Sequence, residues 1–419
     1  MDLEKNILED ITDFYLKSGD FNGSLIVRYV ENFDISVEQL KSIISSLINQ
    51  GKISLEFGDR HPNPHIKAFL EEPPETQIEK LSKSDLHHVC AYPCRSHLTN
   101  VVDVSKYNST PFSLRMKLGE PQLSFLSFDL SVLEYYRNDP RYFYDNDDVT
   151  GWIGIHDEYL DKVRDSDKIV VETFGFSYDE NFSRAVAVFL IYLSRLSPEH
   201  QQIWNAKLVN RNYKLHPDYS RISAGYFREG SSICDAFLEE LYQINEMCKL
   251  IDRPPLFRDD FKERGKPRNF SFLIRTTSKE YNDFIILLDQ LISDNINKKF
   301  FLDDISLEFE TKRKDGNMQV TQKGTITLLS EWMEAKIVVR DDAVENMIKT
   351  FRKIRRLRQK PVHKVNDNIF DPQYFQQQRE ILVEAYGAIR LIRLILVNHP
   401  LLRDYKVPDW LYDGKIWSY

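Results

Sequence analysis

Cysteine is scarce in this chain of 419 residues: four in all, too few at this size for a disulfide framework. No apolar run approaches the ~20 residues that a bilayer-spanning helix needs. The longest, Ala185 to Leu193, reads as a buried helix. Met1-Asp2-Leu3-Glu4-Lys5 lacks the basic and apolar regions of a signal peptide. A cytoplasmic protein without membrane contact is therefore expected. Neither Gly316 nor Gly324 is followed by the lysine and hydroxyl residue of a phosphate-binding loop, and no serine nucleophile elbow occurs. Asp145, Asp147 and Asp148, beside Tyr142 to Tyr144, lack EF-hand spacing and read as a surface loop. Internal repeats and low-complexity tracts are missing too. No cofactor is implied.

The chain is 42% hydrophobic and 29% charged, which excludes wholesale disorder and leaves room for two or three domains. Its formal charge of −8 argues against a protein that coats nucleic acid nonspecifically. A polyanion site must then be a local basic patch, and the run from Arg352 to Lys364 is the densest one. That run ends a strongly periodic stretch. Val344, Met347, Ile348, Phe351, Ile354 and Leu357 recur at helical spacing, with Asp341 or Asp342 able to cap the start and Pro361 forbidding continuation. A second helix is expected from Asp371-Pro372 to about Asn398, through Ile381, Leu382, Ala385, Ile389, Ile392 and Leu396.

Between these helices, Leu357-Arg358-Gln359 and Val362-His363 resemble the signature of the HEPN superfamily: arginine, a polar residue, a short spacer, then histidine, set where two long helices meet. The likeness covers residues 341–419, about a fifth of the chain. Gln359 stands where asparagine or aspartate is commoner. Val365 stands where some toxin members carry tyrosine. Outside this stretch the chain resembles bacterial proteins with no stated chemistry. The resemblance implies an endoribonuclease that works without metal, across a homodimer, in a defence or toxin setting. Histidine suits the proton abstraction from a ribose 2′-hydroxyl, because its ordinary pKa lies near neutrality. Arginine suits the phosphorane, because its fork stays charged. Arg358 and His363 would take those roles, and Arg352, Arg355, Arg356, Lys360 and Lys364 would track the RNA backbone.

The spacing alone is cheap, since Arg195 to His200 and Arg211 to His216 repeat it. Ser197-Pro198 explains His200 as part of a helix start, and His216 precedes Pro217 among strand-like residues. The bland account of Arg352, Arg355 and Arg356 is a solvated helix face that also offsets the helix dipole.

Residues 1–70 read as a winged helix. Ile7, Leu8, Ile11, Phe14 and Tyr15 mark a first helix, Ser24 to Glu31 a second, and Leu40, Ile43, Ile44, Leu47 and Ile48 a third, capped by Ser36 and ended by Gly51. Ile53, Leu55 and Phe57 then alternate into Gly58-Asp59. That recipe points to DNA, yet only Lys41 and Lys52 face a phosphate backbone, few for a DNA-reading helix. Glu71 to Thr76 looks like a linker.

Residues 71–340 read as an α+β middle domain, divisible near residue 255. Cys90 and Cys94 with neighbouring histidines (His87, His88, His97) could hold zinc if Cys234 or Cys248 came close; the alternative is a strand with buried thiols. Strands are expected at Leu123–Phe128, Val149–Ile155, Ile169–Phe176, Asn269–Arg275 and Ile305–Thr311, the last paired through Asp315-Gly316 with Met318–Thr321. Helices are expected at Asp129–Tyr136, Asn181–Leu196, Pro198–Val209, Ser231–Ile251 and Ser278–Ile292. Glu308, Glu310 and Lys312 share one strand face near Asp303 and Asp304, the pattern of magnesium-dependent nucleases, although an exposed hairpin explains it as well. Two functions compete. One is the ribonuclease, with the middle domain as sensor. The other is a noncatalytic regulator or scaffold that binds DNA through the winged helix and dimerises through its C-terminal helices.

Overall fold

The fold is mixed α+β. A computed structural model describes residues 3–59, 61, 63–180, 183–312, 318–336, 342–359 and 367–418. These form two compact units, Met1–Tyr144 with Gly151–Leu215, and Asp145–Thr150 with His216–Tyr419.

The first unit opens with α1 (Leu3–Lys17), β1 (Ser24–Leu25), α2 (Arg28–Asn32), α3 (Val37–Asn49) and β2 (Ile53–Glu56). Ser36 caps α3 in a reciprocal capping box with Gln39, and Gly51 adopts φ +63°, the left-handed conformation expected of it. Pro74, assigned to a linker by its Pro-Pro context, instead opens α4 (Pro74–Lys83). Next comes β3 (Cys90–Pro93), which lies between β1 and β2 in an antiparallel sheet of order β1-β3-β2. The module therefore does not close at residue 70. Its central strand comes from beyond the supposed linker, and Ile7, Ile11, Leu40, Ile44 and Leu47 form its core with Leu55 and Ala91.

After α5 (Arg95–Val101) and α6 (Pro111–Lys117) the chain builds a sheet from β4 (Phe125–Phe128), β5 (Tyr142–Asn146), β6 (Thr150–Ile155), β7 (Val170–Tyr178) and β8 (Arg184–Phe189), with α7 (Val132–Arg137) following β4. The strand order is β4-β8-β7-β6-β5, and β9 (Lys214–Leu215) joins β7. Here the expectation of a long apolar helix fails: Ala185 to Phe189 is strand, and only α8 (Leu190–Ser194) is helical. β8 lies between β4 and β7 with Ala185 to Phe189 all buried, and a strand covered on both faces has the same continuous apolar run as a buried helix. The next helix, α9 (Pro198–Asn205), is capped by Ser197 and ends short of the expected Val209.

The second unit has α10 (Pro217–Ser223), β10 (Ser231–Ser232), α11 (Ile233–Leu250), α12 (Ser278–Ile292), β11 (Glu308–Lys312), β12 (Met318–Gln322), α13 (Thr325–Lys336), α14 (Asp342–Gln359), α15 (Gln373–Leu396), α16 (Asp409–Tyr412) and β13 (Ile416–Trp417). Phe237, Leu241, Ile285, Leu288, Leu329, Phe351, Ile389 and Ile392 are among the residues of one continuous core. The helices beyond residue 341 thus share their core with α11 to α13, and among the described residues no separate core begins there. Asn269–Arg275 is not a strand. Its buried amides find side-chain partners instead: Leu273 N–H donates to Gln378 (3.0 Å) and Ile274 N–H to Glu280 (3.1 Å). The hairpin β11–β12 forms between the expected strands, with Glu310 opposite Val320, while its turn at Asp315-Gly316 lies outside the described residues.

Asp304 illustrates how polar groups are tied into this unit. Lys336 (2.5 Å), the Trp332 indole N–H (2.8 Å) and Arg253 all reach its carboxylate. Burial works upward on its pKa, but these donors outweigh it and hold it down at about 2. A carboxylate depressed in the folded state stabilises above its unfolded value of about 4, and that contribution is lost as pH falls through the folded value. Acid titration of stability is expected to show about 1–2 kcal/mol fading between about pH 4 and 2, absent in Asp304→Asn.

Candidate functional site

The apolar stripe of α14 buries Met347, Ile348, Phe351 and Ile354; Arg358, seven residues past Phe351, continues that stripe, and Arg355 lies beside it. Both guanidinium groups turn toward the end of α12. Arg358 donates to Asp289 at 2.7 Å and to Asp294 at 2.5 Å; Arg355 lies 3.0 Å from Asp289 and 2.9 Å from Asp294. The Asp289 side chain is wholly buried, whereas that of Asp294 is 42% exposed. The hydrogen bonds that Arg358 donates to Asp289 and then Asp294 raise its pKa further, so it stays a cation. Two guanidinium groups thus face two carboxyl groups, so the formal charges of the cluster balance.

This differs from a strip of free cations. Arg355 and Arg358 spend their charge internally, and Lys353 is paired with Glu384 of α15 at 2.8 Å. Arg352 and Arg356 are exposed, and Arg356 Nε donates to the Arg352 carbonyl at 3.3 Å. Lys360, His363 and Lys364 lie outside the described residues. Asp289 went unnoticed in the sequence, yet a signal existed. It interrupts the buried face formed by Tyr281, Phe284, Ile285, Leu288 and Ile292, where a carboxylate requires a cation partner.

Asp294 also lines a cavity of about 410 Å³ together with Phe261, Lys266, Pro267, Leu287 and Leu291. One wall is the loop 258–267, held to the end of α12 by Asn295, which accepts from Asp259 N–H (2.9 Å) and donates to its carbonyl (2.7 Å). Lys266 is 3.1 Å from Asp148 and 3.2 Å from Asp235. Burial raises the Asp235 pKa against the pull of Lys266, and burial lifts the Cys234 thiol well above its usual range.

The other sequence motifs disperse. Arg195 binds Asp20 (2.6 Å) and Glu172, while His200 is buried with Nδ1 2.9 Å from the Tyr136 hydroxyl. Arg211 is 71% exposed, and buried His216 caps α10 by accepting from Asp218 N–H. Lys41 donates to the Ser82 carbonyl (3.0 Å) at the end of α4, which lies against α3. Lys41→Ala is therefore expected to cost less than about 1 kcal/mol in thermal unfolding and to leave any DNA retention unchanged. Glu308 accepts from Gln322 (2.5 Å), and Asp304 is already saturated by three donors. Cys90 is a buried strand thiol 3.5 Å from His65, His97 reaches Thr12 (3.0 Å), and His87 and His88 are exposed. Among the described residues no group of three or more acidic, histidine or cysteine side chains could hold a metal ion. No helix among them is long and apolar enough to cross a membrane.

Comparison with protein-family models, curated proteins and solved structures finds no match to this chain.

Proposed function

We propose that the second unit is a metal-independent endoribonuclease of HEPN type, in which Arg358 and His363 act as a pair. The observation that carries this is the fixing of Arg358 at the end of α14, immediately before the segment that holds His363. A buried carboxylate, Asp289, grips it there, and Asp294 joins it to an open cavity. Arg358 reaches both carboxylates through Nη1, the kind of charged N–H···O⁻ contact that a phosphate oxygen also makes, so a phosphate competes with Asp294 for that nitrogen. In the reaction, His363 takes the proton of a ribose 2′-hydroxyl. The freed oxygen attacks the adjacent phosphorus, the bond from phosphorus to the 5′-oxygen breaks, and that oxygen takes a proton from solvent water. Arg358 neutralises the charge on the phosphorane, and the products are a 2′,3′-cyclic phosphate and a 5′-hydroxyl. The long pair α14 and α15 supports the HEPN-like fold. A cytoplasmic defence or toxin role, with a homodimer as the active form, follows from that resemblance.

The order α1-β1-α2-α3-β2-β3 with a β1-β3-β2 sheet supports a winged helix in the first unit, with α4 inserted before its last strand. The rival reading, a noncatalytic DNA-binding regulator, rests on that module. Against it, α4 lies on α3, and Lys41 is engaged within its own unit. Incubation of purified protein with total RNA in excess chelator separates the two. The ribonuclease reading requires new cyclic-phosphate ends; intact RNA under these conditions rejects it.

A further inference from the structure

The hairpin β11–β12 exposes all five residues of β12, including Met318 at 56% and Val320 at 52%. Among the described residues β12 pairs with no strand but β11. The Lys323 amide donates to the Leu307 carbonyl (2.9 Å), which makes those two a hydrogen-bonded pair. In the observed register the pairs then alternate, so Glu310 and Val320 form a pair not bonded to each other. The backbone N–H and C=O of Met318, Val320 and Gln322 therefore point away from β11, along an open edge.

Open edges are ordinarily blunted by charge. β11 follows that rule with Glu308, Glu310 and Lys312, whereas Met318-Gln319-Val320-Thr321-Gln322 carries no charge, glycine or proline. We infer that β12 is an edge for pairing with a second copy of this chain, antiparallel about Val320. Val320 then meets Val320 of the other copy, and Met318 meets Gln322, each pair exchanging backbone hydrogen bonds. The exposed Met318 and Val320 of both copies fall on one face of a four-stranded sheet. The alternatives are worse. Pairing β11 with β11 sets Glu310 against Glu310 of the other copy. Pairing β11 with β12 generates an open filament. Of the two twofold contacts, which both close, only the β12 one avoids that clash and leaves a charged β11 on each outer edge. The inference is independent of the ribonuclease reading, because it uses neither Arg358 nor the helix pair.

Two strands of this length bury far less than the ~1,200 Å² of a stable interface, so the dimer is weak and depends on concentration. The full chain with Val320→Cys is expected to form a disulfide-linked dimer under mild oxidation, since cross-strand Cα atoms lie within disulfide reach. Glu310→Cys, on the outer strand and three strand spacings from its copy, is expected not to link beyond the background of the native thiols, three of them buried and Cys94 half-buried. In light scattering at about 50 µM and above, wild type shifts toward twice the mass that Val320→Lys keeps, with circular dichroism unchanged. Equal linking of both cysteine variants overturns the inference. So does a wild type whose mass never exceeds that of Val320→Lys, or a Val320→Cys thiol that links only to a different protein in a lysate.

Discussion

Glu240→Ala is expected to destabilise the second unit by about 3–5 kcal/mol, read from the midpoint of chemical denaturation. Glu240 on α11 is fully buried, and so, nearly, is Arg393 on α15, which donates from Nη2 at 3.1 Å and from Nε. Burial raises the Glu240 pKa even with Arg393 beside it, which measures how hostile the surroundings are to an unpaired charge. Truncating the carboxylate leaves a guanidinium with no route to water. That uncompensated charge, more than the lost ion pair, makes the cost large. The combined replacement Glu240→Met with Arg393→Leu is therefore expected to recover most of the loss, because two apolar groups of similar volume need no desolvation. A single variant that loses less than about 1 kcal/mol would show that water reaches the pair.

Arg358→Ala and His363→Ala are each expected to reduce RNA cleavage by about 10²–10⁴-fold in chelator. Folding should survive the first, because Arg355 remains on Asp289. Arg358→Lys is expected to restore little, since an ammonium cannot bridge two oxygens as the fork does. Asp294→Asn distinguishes a competitor from a support. A phosphate must displace this exposed carboxylate to reach Arg358, so neutralising it is expected to tighten RNA binding several-fold and steepen its salt dependence. Cleavage by Arg358→Ala at the wild-type rate would end the ribonuclease proposal. Unchanged RNA affinity in Asp294→Asn would mean that Arg358 never leaves its carboxylates.

Much of the helical part was legible in the sequence. The stripe from Met347 to Ile354, the Ser36 cap of α3 and the Asp371-Pro372 start of α15 all depend on neighbours within a few residues. The errors have a common origin. Ala185 to Phe189 is apolar at every position, so no period told strand from helix until β4 and β7 flanked it. Phe270 to Ile274 had strand-like residues, but Gln378 and Glu280 supplied the partners that a neighbouring strand would have supplied.

At the site the same division holds. Residue types and spacing determined that Arg358 ends an amphipathic helix and that cations crowd around it, because charge and helical period are local properties of the chain. Which of those cations remain available was decided by Asp289 and Asp294, more than sixty residues earlier in the chain. Likewise β12 was recognisable as a strand, but its open, uncharged edge exists only because β11 takes the other side. Partner choice between distant segments follows from how the core closes, and no pattern within one segment encodes it.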